Sequence, residues 1–104
     1  ILIKDRYQKI WAYDVDFNLL FEYEAPINTG HCPYAKDING DGRDELFVGY
    51  DLLSADGERL WSLDVHTDHT DEIIIGKLSP EQEEVIAIVA GYEGFILADL
   101  DGNI

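Results

Sequence analysis

The stretch "KDINGDGRDELFVGYDLLSADGERLWSLD", Lys36 to Asp64, decides the fold. "ELFVGY" at 45–50 is too short for a helix, rich in β-formers and bounded by charge and glycine, so it reads as a strand. "LLSADGERLWSLD" at 52–64 folds two apolar runs around Asp56-Gly57, where glycine accepts a positive φ at no steric cost, and so reads as a hairpin with a two-residue turn. The same elements recur on both sides. "YDVDFNLLFEYE" at 13–24 and "FILADLDGNI" at 95–104 are further hairpins, and "EIIIG" at 72–76 and "EVIAIVAG" at 84–91 are further strands. Asp16, Asp56 and Asp101 hold equivalent hairpin positions 40 and 45 residues apart. Short strands at that period are the mark of a propeller blade.

The expected fold is therefore all-β, a segment of about two and a half blades of a β-propeller. Residues 1–29 form the end of a blade with its outer hairpin, 30–68 a blade, and 69–104 a partial following blade of one propeller domain. A free-standing sandwich would need about seven strands in Greek-key order, which the repeat disfavours. "SPEQEE" at 79–84 allows one helical turn at most, with Ser79 as cap and Pro80 at the first position. Trp11 and Trp61, near hairpin ends, are assigned to packing. The lone cysteine, Cys32, forms no internal disulfide and reads as a small half-buried side chain.

Aspartate and glutamate number 22 against 7 lysines and arginines, a net charge of −15, and the basic residues are scattered along the chain. Nucleic acid and anionic membrane surfaces both require a basic footprint, so neither is an expected partner. No apolar run approaches the ~20 residues of a membrane helix. A chain this acidic repels itself until a cation relieves it.

"DINGDGRDE" at 37–45 supplies a place for one. Asp37, Asn39 and Asp41 stand at alternate positions, Gly42 allows a sharp turn, Arg43 offers its backbone carbonyl, and Glu45 adds a carboxylate. Calcium takes six to eight oxygens in flexible geometry, and alternate side chains turned inward supply them. A plain polar turn is the competing reading, but turns do not require carboxylates at alternate positions. Position 12 of the loop is Val48 rather than glutamate, so the loop feeds a strand and is no EF-hand. Asp44 is expected to point outward. In the next repeat Lys77 replaces the first aspartate and Ser79-Pro80 breaks the pattern, so Glu81, Glu83 and Glu84 read as a solvated loop without metal.

The Asp-x-Asn-x-Asp-Gly-x-x-Glu loop followed by an apolar strand resembles the calcium-loop propeller repeats of FG-GAP or VCBS type. The wider context, "GHCPYAKDINGDGRDELFVGYDLLSADGERLWSLD" and "HTDEIIIGKLSPEQEEVIAIVAGYEGFILADLDG", is similar to the rhamnogalacturonan lyases of polysaccharide lyase family 11. That resemblance spans about residues 30–104 and implies an eight-bladed, calcium-rich catalytic propeller. It implies that His31, six residues before Asp37, and His69 with Asp71 contact the sugar or a calcium-bound substrate. Asp68-His69-Thr70-Asp71 stands where the family has Gly-His-Gly-Asp, and Cys32-Pro33-Tyr34 replaces a more polar set.

The resemblance also implies β-elimination on a pectic polysaccharide, with calcium neutralising the uronate carboxylate and a base removing the C5 proton. It implies an extracellular or cell-surface setting. No base is assigned: neither His66 nor Lys4, Lys9, Lys36 and Lys77 stand in a telling context. A noncatalytic propeller remains open, with calcium only pinning loops and the face binding glycan or protein. No phosphate loop, zinc-protease motif, paired cysteine motif or serine elbow is present.

Overall fold

The computed structural model describes residues 1–65, 69–91 and 94–104, and among these the chain is all-β with no helix. Ten strands follow one another: β1 (Leu2–Lys4), β2 (Lys9–Tyr13), β3 (Leu19–Glu24), β4 (Tyr34–Lys36), β5 (Glu45–Val48), β6 (Asp51–Leu53), β7 (Arg59–Ser62), β8 (Thr70–Lys77), β9 (Glu84–Ala90) and β10 (Gly94–Ala98). They form three antiparallel meanders, β1-β2-β3, β4-β5-β6-β7 and β8-β9-β10, each built from consecutive strands. "SPEQEE" makes a turn closed by the Gln82 amide on the Ser79 carbonyl at 3.1 Å.

The middle sheet is covered on both faces. Every residue of β5 and β6 is buried, so their pattern carries no alternation. Leu46, Val48 and Leu53 pack with Ile10 of the first sheet, against Phe21 and Tyr23. Phe47 and Leu52 turn the other way and join Ile73, Ile75, Ile86, Ile88 and Ile96 of the third sheet. Each such aliphatic side chain contributes about 1.5–3 kcal/mol by leaving water. The flanking sheets bury one face only. In the third, Ile74, Val89, Phe95 and Leu97 remain exposed at 58, 48, 64 and 38% while Ile73, Ile75, Ile88, Ala90, Ile96 and Ala98 beside them are buried.

One charged group enters the interior between the first two sheets. Asp51 is buried and accepts hydrogen bonds from the Tyr23 hydroxyl at 2.7 Å and from the Ser62 hydroxyl. Burial, and next the bond to Asp51, push the Tyr23 phenol above its ordinary value. A buried carboxylate keeps its place when its lone pairs are taken.

The three hairpins share one geometry, which corrects the two-residue turns expected from sequence. At 14–18, 54–58 and 99–103 the first residue's amide donates to the carbonyl four residues on, at 3.0, 2.7 and 2.9 Å. Its side chain, Asp14, Ser54 or Asp99, accepts the amides two and four residues on. The fourth residue, Phe17, Gly57 or Gly102, has φ of 62, 85 or 87°. Each loop therefore spans three residues, and the anchoring side chain precedes the aspartate that marks the repeat in sequence. Phe17 adopts a conformation that costs a side-chain-bearing residue energy. Gly57 and Gly102 lie against Phe21 and Trp61, where a Cβ would come within 2.4 and 2.8 Å of the rings. Trp61 packs edge-on to Phe47. Cys32, expected half-buried, is exposed.

Candidate functional site

Because neighbouring strands run antiparallel, the connections alternate between two ends of the sheets. One end carries the loop between β4 and β5, the loop between β8 and β9, and the three hairpins. The other carries the β1–β2 turn, the link from β3 to β4 and the start of β8.

At the first end the 37–45 loop winds around its own carboxylates. Asp37 accepts the amides of Gly40, Asp41 and Gly42 at 2.8, 3.2 and 2.9 Å. The Asn39 side-chain oxygen accepts the Asp41 amide at 3.0 Å, and Asp41 accepts the Arg43 amide at 2.8 Å. Buried Glu45 accepts the Ile38 amide at 2.8 Å and the Asn39 side-chain amide at 3.1 Å. Gly40 and Gly42, with φ of 78 and 86°, let the chain turn this tightly. The Arg43 guanidinium reaches Asp56 of the adjacent hairpin at 2.7 Å, which raises its own pKa and lowers that of Asp56. The donor set is all oxygen, the chemistry a hard cation prefers. Glu84, assigned from sequence to a solvated loop, pairs with Lys36 and ties this end of the second sheet to the third.

The second end is assembled from residues distant in sequence. The Thr29 amide donates to the Tyr7 carbonyl at 2.8 Å, which lays the β3–β4 link on the β1–β2 turn. Two residues on, the His31 amide donates to the Thr70 carbonyl, also at 2.8 Å. Gly30, with φ of 66°, makes this approach possible: a Cβ there would sit 1.9 Å from the Thr70 hydroxyl and 2.9 Å from its carbonyl oxygen. Thr29 and Thr70 are fully buried, and among the described residues neither hydroxyl has a hydrogen-bond partner.

The result brings His31, His69 and Asp71 together. Asp71 Oδ1 stands 3.2 Å from His69 Nε2 and 3.6 Å from His31 Nε2. The imidazoles meet nearly perpendicular, at 81° and 4.6 Å between centroids, and Tyr7 lies against both at 5.6 and 5.2 Å. Among the described residues, these three side chains form the group of His, Cys, Asp and Glu whose ligand atoms all lie within 4.8 Å of one another. The carboxylates of the 37–45 loop are not gathered that closely. Arg6 and Lys4 lie over the Tyr7 ring at 5.4 and 5.9 Å, which brings two cations to the end that carries the histidines.

Sequence reading singled out His31, His69 and Asp71 but assigned nothing to Tyr7 or Arg6. A Lys-Asp-Arg-Tyr run in a strand-to-strand turn was their only signal. His66 and Asp68 lie outside the described residues. No family model, curated protein or solved structure matches the chain.

Proposed function

We propose that the protein is a segment of a calcium-bearing β-propeller, related to the family 11 rhamnogalacturonan lyases, whose histidine-bearing end takes up the anionic backbone of a pectic polysaccharide. The observation that carries this reading is the patch formed by Lys4, Arg6, Tyr7, His31 and His69 on a chain of net charge −15. Lys4 and Arg6, held on the Tyr7 ring beside the histidines, offer fixed cations to a polyuronate on a chain that otherwise repels it. The Tyr7 ring offers an apolar face with a polar tip, and the imidazoles offer hydrogen bonds to hydroxyls. Elimination needs a base at C5 and positive charge on the uronate carboxylate. Such a ligand implies an extracellular or cell-surface setting.

Two features support the propeller architecture. Consecutive antiparallel meanders share one hairpin geometry, and the third sheet turns Ile74, Val89, Phe95 and Leu97 to solvent as the middle sheet turns Phe47 and Leu52 toward its neighbour. An apolar face of that kind suits a further sheet packed against it. Calcium, held by Asp37, Asn39, Asp41, the Arg43 carbonyl and Glu45, would supply the positive charge that fixes the loop.

A second reading, a noncatalytic FG-GAP-type propeller that binds glycan or protein with purely structural calcium, is favoured by the position of that loop. It lies at the end opposite the histidines, so a cation there acts on their ligand only through the scaffold. The test is incubation with rhamnogalacturonan in calcium and in chelator, following absorbance from unsaturated uronyl ends alongside retention on the immobilised polysaccharide. Calcium-dependent growth establishes a lyase. Retention without growth, lost in Arg6→Ala and His69→Ala, establishes the binding module. Absence of both, or retention indifferent to those substitutions, overturns the glycan reading.

A further inference from the structure

We infer that His31, His69 and Asp71 form a site for a divalent transition ion of zinc's borderline softness, separate from the hard-cation loop at the other end of the sheets. Such a site does not depend on the glycan reading. Zinc binds imidazole nitrogen and carboxylate oxygen at about 2.0–2.2 Å, and tetrahedral angles then place neighbouring ligand atoms roughly 3.3 Å apart. The two distances from Asp71 Oδ1, 3.2 Å to His69 Nε2 and 3.6 Å to His31 Nε2, bracket that value. The ligand atoms of all three residues lie within 4.8 Å of one another, so an ion between them draws in side chains that already converge. Both Nε2 atoms face the same carboxylate oxygen, and the two rings meet edge to face rather than stacked.

The ligands are also held from behind. The His31 amide is fixed to the Thr70 carbonyl, and Thr70 lies between the other two ligands in sequence. Gly30 keeps that junction close. Ligands presented by rigid backbone lose little entropy on binding. The donor chemistry separates the two ends: imidazole suits zinc, copper or nickel, whereas carboxylate and carbonyl oxygens suit calcium or magnesium. The side chains of His31, His69 and Asp71 remain 48, 31 and 43% exposed, so solvent-facing coordination positions stay open. Three protein ligands with an open position is the arrangement of zinc sites that act on a substrate.

The test titrates the chelator-stripped protein with zinc chloride while following heat of binding and melting temperature. One equivalent of zinc is expected to bind and raise the melting temperature. His69→Ala and Asp71→Asn should each weaken binding by more than the roughly 10–100-fold typical of losing an outer-shell partner. Asp41→Ala, which alters only the oxygen loop, should leave zinc binding intact. Exposed Cys32 adjoins His31, so Cys32→Ser is the control for thiol capture, and it too should retain binding. Zinc binding that survives His69→Ala, that vanishes in Cys32→Ser, or that calcium displaces at equal concentration overturns the inference. So does the absence of zinc binding, which would leave the trio as an ion-pair cluster.

Discussion

The two ends of these sheets are built on different principles. At the carboxylate end the bonds that shape the loops are local, Asp37 reaching amides three to five residues on and each hairpin anchor two and four residues on, and only the Arg43–Asp56 and Lys36–Glu84 side-chain pairs reach across them. At the histidine end they are long-range, joining residue 7 to 29 and 31 to 70. Local turns form wherever the sequence permits them, but the histidine end exists only once three sheets have packed. The carboxylate end should therefore tolerate tertiary damage, and the histidine end should not.

A pair of glycines gives the sharpest way to break that contrast. Gly30 and Gly40 both have positive φ, 66 and 78°, but a Cβ at Gly30 collides with Thr70 whereas at Gly40 it meets nothing within 4 Å. Gly40→Ala should cost about 1 kcal/mol, from the backbone conformation alone. Gly30→Ala adds overpacking at a sheet junction and should cost about 3 kcal/mol. Urea denaturation at unchanged slope measures both. Equal costs would mean that close chain approach does not hold the histidine end.

The next effect compares the two loops that occupy the same place in adjacent sheets. Asp37→Ala releases three backbone amides and removes one of the proposed calcium ligands. It should lower metal-free stability by about 1–2 kcal/mol and abolish the calcium-induced rise in melting temperature. Glu81→Ala, exposed in the 78–83 loop, should change stability by less than about 0.5 kcal/mol and leave any calcium response intact. A calcium response that persists in Asp37→Ala assigns the metal elsewhere.

The same local–distant division explains what was legible in the sequence. Strand positions, hairpins and the oxygen loop follow from spacing within a few residues, and they are the parts read directly. Burial on both faces of β5 was not, because "ELFV" alternates toward two different sheets and hydrophobicity cannot say how many neighbours a strand has. His31, His69 and Asp71 were reached through a family resemblance. Tyr7 and Arg6 carried no pattern, since their importance arises from a backbone bond between residues 7 and 29. The hairpin anchors were misplaced by two residues for a simpler reason. Asp56-Gly57 and Asp101-Gly102 look like complete turns, while the side chain that closes each loop stands at 54 or 99.

Those anchors supply the smallest effect. Asp14 and Asp99 accept bonds from Asn18 and Asn103, which hold both carboxyls below the ordinary value of 3.8. A depressed folded-state pKa stabilises the hairpin above 3.8, and that contribution disappears as pH falls through the lowered value. Ser54 makes the same bonds with a hydroxyl that does not titrate. Amide exchange, expressed as protection relative to the Ile88 amide in the core, separates the three. Protection at Asn18 and Asn103 should fall as pH drops below 3.8, whereas at Glu58 it should stay level. Parallel loss at all three would show that the hairpins open with the sheets rather than by their own anchors, and the carboxylate end would then be no more local than the histidine end.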